Sequence, residues 1–361
     1  MSTMKDCPLN NITGHLVVRT DCTKAIGAGH FFRCFALSQV WRAQGGAVTF
    51  IGRCNSMELR KRLQHDGIQF IPLDNSHPDE RDVQDTVRLL DRLKVDNPDG
   101  RILTILDGYH LDADFQREIR QTGCKVMMID DMNHLQRYDV DVLLNQNIHA
   151  DTFTYNCDSD TIMLLGLKYA LLRPEFLLKR KPRRKFPTIA RKILITLGGA
   201  DPDNVTAKVI EALMRIKFPQ MQLISVLGPV NTHGAIVKKT IENSSSSVRM
   251  MHSPQNMADL MNWADLAISA GGSTCWELAL MGLPFVTLVL AENQRLIAEG
   301  LERAGVTFNL GWHRYCSIED MTERILELTC NSNRRCEMAK KGQSLVDGDG
   351  CRRVVSNLLR I

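Results

Sequence analysis

The first residues in this chain with the means to do chemistry form the run Ile26-Gly27-Ala28-Gly29-His30, set between an apolar β-rich segment and a stretch of helical length. Glycines at a strand-to-helix turn let a ligand approach backbone N–H groups, and a helix start favours anions over cations. A histidine in that first turn is favoured as the neutral imidazole, the form that takes a proton from water or a hydroxyl. A structural hydrogen bond would suit His30 equally well, and spacing alone does not separate the two. The run is not a dinucleotide fingerprint. GAGHFF lacks a third glycine at the required place, and Arg53 or Cys54 follows the second strand where an acid would hold ribose. Asp107-Gly108-Tyr109-His110 closes another apolar run; Asp107 and Tyr109 could orient a water or a sugar, although Asp-Gly is also ordinary turn chemistry.

Two further glycine junctions follow. Leu197-Gly198-Gly199-Ala200-Asp201 ends a strand-like run, and Ser269-Ala270-Gly271-Gly272-Ser273-Thr274-Cys275-Trp276-Glu277 leads from strand to helix. Hydroxyls of Ser273 and Thr274 beside free helix N–H groups make a phosphate cradle. Glu277 shares a helix face with Ser273 and could hold a ribose diol; Thr274 to Glu277 also reads as a capping box. Neither junction leads into a P-loop lysine. Of four DxD strings (Asp112–Asp114, Asp139–Asp141, Asp201–Asp203, Asp347–Asp349), none stands where a metal diphosphate would bind, and Asp130-Asp131 reads first as a turn cap. No metal and no cofactor are expected.

The elements that must position these residues alternate along the chain. His15–Arg19, Ala47–Gly52, Ile68–Leu73, Arg101–Asp107 and Lys125–Asp130 read as strands; Phe31–Gln44, Met57–Asp66, Asp79–Val95 and Ala113–Thr122 have helical length. The pattern restarts with strands at Lys192–Leu197, Gln222–Leu227, Val248–His252, Leu266–Ser269 and Pro284–Leu290, separated by helical segments such as Asn204–Ile216 and Glu292–Ala304. Strands buried on both faces and alternating with helices predict parallel doubly wound sheets, here two Rossmann-like halves facing a shared cleft. Between the halves lies Lys179–Lys192, with eight Lys or Arg, two prolines and no acid. Without interleaved aromatics it reads as a solvated basic linker before a nucleic-acid patch. Ser244–Ser247 reads as a polar surface turn.

Composition narrows the classes. At 361 residues, 44% apolar and 24% charged, the chain has the globular balance and room for two cores, which sets aside disordered and fibrous classes. A formal net charge of +4 is too small to imply nucleic acid. No apolar run reaches the ~20 residues of a membrane span, and Met1–Thr13 is polar, so neither membrane insertion nor an export signal is expected. The cysteines number eleven, an odd count without CxxC spacing, which suits a reduced cytoplasmic protein rather than a disulfide framework.

Taken together, the blocks are more specific than any one loop. Arg19-Thr20-Asp21 with the Ile26–His30 run and Arg33-Cys34, Leu106–His110, Leu143–Asn147 and Tyr169–Phe176 lie in the first half. Thr196–Pro202, Ser269–Leu278, Ala291-Glu292-Asn293-Gln294 and Val346–Gly348 lie in the second. In these blocks the chain resembles the UDP-2,4-diacetamido-2,4,6-trideoxy-β-L-altropyranose hydrolases of pseudaminic acid biosynthesis. That family is similar in fold to the lipid-linked N-acetylglucosaminyltransferases of peptidoglycan synthesis.

The resemblance implies a GT-B architecture, with a catalytic Rossmann-like domain over residues 14–178, a UDP-binding domain over 192–361 and the linker at 179–191. It implies metal-independent attack of water on the sugar C1, with inversion, releasing UDP and the free sugar. His30 would be the general base and Tyr109 would help position the water. Gly271, Gly272, Ser273 and Thr274 would hold the diphosphate and Glu277 the ribose. Glu292, Asn293 and Gln294 would line the cleft, Arg173 would contact phosphate or sugar, and Gly29, Arg33, Asp107 and Gly199 complete the substrate-binding set. The expected partner is the UDP-sugar alone, bound by a monomer. A GT-B glycosyltransferase using a UDP-sugar donor is the rival reading.

Overall fold

The computed structural model describes residues 12–98, 100–182, 184–242 and 247–361. The polar opening segment up to residue 11, Arg183 of the basic stretch and Ser244–Ser246 of the serine run lie outside the described residues.

The first unit holds strands β1 (Gly14–Thr20), β2 (Ala47–Gly52), β3 (Gln69–Pro72), β4 (Arg101–Asp107), β5 (Lys125–Ile129), β6 (Val142–Asn145) and β7 (Ile162–Leu165). Its helices are α1 (Gly29–Ala43), α2 (Met57–His65), α3 (Glu80–Asp96) and α4 (Ala113–Gln121), with α5 (Pro174–Lys179) leading out. The second unit holds β8 (Lys192–Thr196), β9 (Gln222–Leu227), β10 (Ser247–His252), β11 (Leu266–Ala270), β12 (Phe285–Val289) and β13 (Thr307–Trp312). With them run α6 (Val205–Met214), α7 (Gly234–Glu242), α8 (Met257–Trp263), α9 (Thr274–Leu280), α10 (Glu292–Arg303), α11 (Ile318–Cys330), α12 (Ser332–Leu345) and α13 (Gly350–Leu358).

The two sheets run β3-β2-β1-β4-β5-β6-β7 and β10-β9-β8-β11-β12-β13, with parallel pairing throughout. Each is the Rossmann order, with its switch point between the first and fourth strands of the unit. The chain turns outward at that point on both sides, so β1/β4 and β8/β11 each open a crevice at their carboxyl ends. Strands β6, β7 and β13 lie outside the segments expected from the sequence. Strands β6 and β7 are only four residues long, and no α-helix of the expected length separates β5 from β6 or β6 from β7.

Helix α1 buries His30, Phe31, Arg33, Cys34, Phe35, Ala36, Leu37, Ser38 and Trp41, more than one face, because it is enclosed by β1, β2 and β4 below and other helices above. One of those helices is α13, whose Cys351, Val354, Val355 and Leu358 recur at helical spacing and join the core around Trp41 and Phe35. The closing helix, expected within the 192–361 half, therefore returns to the first unit. Its apolar stripe finds the outer face of α1, which would otherwise stand uncovered.

The basic stretch is less solvated than its composition suggests. Arg184 is directed at the carbonyls of Met261 and Ala264 at the end of α8, and burial pushes its pKa down to about 10. Lys179 pairs with Asp259 at 2.5 Å. Arg335 of α12 is fully buried and donates to the carbonyls of Leu328, Thr329 and Pro187, joining the open end of α11 to the linker. Among the described residues, no helix is long and apolar enough to cross a membrane.

Candidate active site

At the switch point of the first sheet, His30 occupies the first turn of α1 and Asp107 the last position of β4. His30 Nδ1 lies 2.6 Å from Asp107 Oδ1, and Asp107 is inaccessible to solvent. One helical turn on, Arg33 clamps the same carboxylate through Nε and Nη2, both at 2.7 Å, and reaches Asp131 through Nη1 at 2.7 and 2.9 Å. Burial would raise the Asp107 carboxyl, but Arg33 and His30 beside it hold it well below the usual carboxylate range. Nδ1 faces this carboxylate and also lies 3.0 Å from Arg33 Nη2; a ring donating Nδ1–H to Asp107 would carry its lone pair on Nε2. Nε2 has no hydrogen-bond partner among the described residues, and His30 lines the cleft.

Tyr109 stands edge-on to the His30 ring, with centroids 4.9 Å apart. Its hydroxyl donates to Asp131 at 2.8 Å and accepts from Asn293 Nδ2 at 2.9 Å, a bond that crosses from the first unit to the second. Burial, with Asp131 adjacent, pushes the phenol pKa up, so the hydroxyl keeps its proton. Asn147 donates to the other Asp131 oxygen at 2.7 Å. Asp131 is the residue the sequence reading undervalued. Of the Asp130-Asp131 pair, Asp130 alone does the expected turn work, accepting from the amides of Met132 and Asn133. The available signal was its place after β5, beside the strand that carries Asp107.

Across the cleft, the turn after β8 carries Gly198 and Gly199, and a Cβ at Gly199 would lie 2.5 Å from the Ala28 nitrogen. The two glycine loops thus touch backbone to backbone, a contact that only glycine permits. Gly272, Ser273 and Thr274 line the cleft after β11, while Gly271 sits behind them, against the Gln294 backbone. The capping box open at Thr274–Glu277 is not formed: α9 has no side-chain cap, and Glu277 points instead to Arg173, with Oε1 3.2 Å from Nη2. Burial pushes the Glu277 carboxyl up, partly opposed by Arg173. Arg173 lines the cleft but is already engaged by Glu175 at 2.7 Å and by Glu277, and it stacks over Phe32 and Phe176.

The cleft, about 290 Å³, therefore brings together Gly29, His30, Arg33, Tyr109, Arg173, Gly199, Gly272, Ser273, Thr274, Glu277, Asn293 and Gln294. Asp107 and Gly271 lie immediately behind its wall. Glu292 does not line it: in the first turn of α10 the side chain turns outward to Arg295 at 2.8 Å, favoured by the helix dipole and an i,i+3 pair. The DxD aspartates have structural partners; Asp112 and Asp201 accept from the amides of Phe115 and of Val205 and Thr206 at helix starts.

Two Rossmann-like units with switch points facing one cleft are the GT-B arrangement, and residues 193–349 match the glycosyltransferase family 28 C-terminal domain. MurG of Acinetobacter baumannii has a similar crystal structure, with a TM-score of 0.62 at 16% identity over 96% of this chain and all of that one. Among sequence relatives, the UDP-2,4-diacetamido-2,4,6-trideoxy-beta-L-altropyranose hydrolase of Campylobacter jejuni is 24% identical over 80% of this chain and 97% of its own. An uncharacterised protein of Methanocaldococcus jannaschii is 26% identical over 78% of this chain, which spans 56% of that protein's length.

Proposed function

We propose that the chain hydrolyses a UDP-sugar of the 2,4-diacetamido-2,4,6-trideoxy-β-L-altropyranose type at the cleft between its two units. The observation that carries the reading is the His30–Asp107 pair, with Nδ1 tied to a buried carboxylate and Nε2 free at the cleft. The name carried by the Campylobacter relative supplies the substrate class.

Water held near Tyr109 loses a proton to His30 Nε2 as its oxygen bonds to the sugar C1. The C1–O bond to the β-phosphate breaks with its electron pair leaving on UDP, and attack from the opposite face inverts C1. Asp107 stabilises the imidazolium formed, as a carboxylate does behind any histidine base. Backbone N–H groups and hydroxyls of the Gly272–Thr274 turn face the developing charge of the diphosphate, preorganised donors of the kind that stabilise a leaving group. Glu277 receives the ribose hydroxyls, and the Asn293–Tyr109 bond closes the second unit over the water.

The test is turnover of the UDP-sugar in H₂¹⁸O with EDTA present, with products resolved by mass. The expected result is ¹⁸O on the sugar and none on UDP, with His30→Ala lowering turnover by ~10²–10⁴-fold. Label on UDP would overturn attack at carbon, and UDP release only on addition of a sugar or lipid acceptor would move the reading to a glycosyltransferase.

A further inference from the structure

Beneath the cleft lies a buried ionic cluster to which the reaction assigns no role. Arg19, at the end of β1, is fully buried and holds two carboxylates: Asp82 through Nε at 2.8 Å and Nη2 at 2.6 Å, and Asp21 through Nη1 at 2.6 Å and Nη2 at 3.1 Å. Asp21 also accepts from the Arg53 amide and from the Ser76 hydroxyl, both at 2.7 Å, and its Oδ2 lies 3.2 Å from His110 Nε2. The loops that follow β1, β2, β3 and β4 are thereby joined at one point. Two of them carry site residues, the Thr23–Gly29 loop ahead of His30 and the turn that presents Tyr109.

Two glycines are shaped around the same cluster. A Cβ at Gly108 would lie 2.7 Å from the His110 ring, and a Cβ at Gly52 would meet the Thr20 carbonyl at 2.0 Å and Asp21 Oδ1 at 2.9 Å. His110 itself does not line the cleft. Its ring folds back under Gly108 to reach the cluster, so the chain direction at Tyr109 is set from below.

We infer that His110 is a positioning residue: anchored to the Asp21–Arg19–Asp82 cluster and seated against Gly108, it fixes the Asp107–Tyr109 turn and with it the Tyr109 hydroxyl. The inference rests on the hydrolase reading for its kinetic consequence, but not for its structural one. A displacement of the order of 1 Å at a positioned group is enough to lower a rate by ~10²-fold.

The experiment compares His110→Leu, His110→Gln and Gly108→Ala with wild type by steady-state kinetics, UDP binding, thermal unfolding and amide hydrogen exchange. Expected for His110→Leu and Gly108→Ala are kcat lower by about 10–100-fold, UDP affinity within about twofold of wild type, and faster exchange confined to residues 107–112 and 23–29. His110→Gln, whose amide can stand in for Nε2–H, restores most of kcat and the exchange protection. Wild-type kcat and exchange in His110→Leu would overturn the inference, as would losses of UDP affinity and thermal midpoint with faster exchange in both units. If wild type itself does not hydrolyse the UDP-sugar, the hydrolase reading falls, and the exchange comparison alone decides the positioning role.

Discussion

In the proposed reaction Asp107 governs what His30 can do, and the sign of its effect is open to measurement. On the proposed reading, Asp107→Asn keeps the shape but removes the carboxylate facing Nδ1, so turnover should fall by ~10³–10⁴-fold while UDP affinity, assigned by that reading to the second unit, stays. Acid should act through the same group and its neighbours. Burial would raise the carboxyls of Asp107, Asp131 and Asp21, but Arg33 with His30, Arg33, and His110 with Arg19 respectively hold them below the ordinary range. Carboxyls more acidic in the folded chain than in the unfolded one stabilise the fold fully above the unfolded value. That contribution is lost as pH falls through the folded values. The thermal midpoint should therefore drop on acidification below about pH 4, and Asp107→Asn should reduce the steepness of that drop. A midpoint unchanged down to pH 3 would contradict the ion pairs as drawn.

At the scale of elements, the basic stretch and α12 act as one fastening. Arg335 is a buried cation without a carboxylate partner among the described residues, stabilised instead by carbonyls at the end of α11 and in the linker. Arg335→Leu removes the charge and leaves the Pro187 carbonyl without its donor, at about 1–3 kcal/mol for a group left unsatisfied, while the Leu328 and Thr329 carbonyls keep the amides of Asn331 and Ala190. Urea unfolding should show a loss of about 1–3 kcal/mol, above the ±0.5 kcal/mol of an ordinary surface substitution. Helix α13 makes the complementary prediction. Leu358 is buried against the α1 layer, and Leu358→Ala should cost about 2–5 kcal/mol, read as earlier unfolding of the first unit although the residue lies at the far end of the chain.

For the whole molecule, the decisive feature is how closely the two units meet. Gly199 against Ala28 is one contact, and Gly300 of α10 against Ile148 is another, where an added Cβ would lie 2.4 Å from Ile148 Cγ2. Gly300→Val is a wedge between units rather than a change to the cleft lining. It should enlarge the radius of gyration in solution scattering and lower turnover by ~10-fold or more; on the proposed reading UDP binding is retained, because the Gly272–Thr274 turn is untouched. Unaltered scattering and turnover would show that the units do not need this contact.

Most of the alternation was legible in the sequence because a parallel strand buried on both faces writes a short apolar run, and β1, β2, β4, β5, β8 and β9 each do so. Periodicity could not reveal β6 and β7, at four residues each, nor the return of α13 to α1, since an amphipathic helix records that it needs a partner but not which one. The same division holds in the site. The residue types and glycine turns marked His30, Tyr109, Gly199 and the Ser273–Glu277 run, because the chemistry of a helix start is local. The pairing of His30 with Asp107, the joining of Arg33 to Asp131, the Asn293–Tyr109 bond across the cleft and the outward turn of Glu292 belong to tertiary structure alone. Those residues lie from tens to nearly two hundred positions apart or depend on a single rotamer, and only the closing of two sheets around one cleft brings them within hydrogen-bond reach.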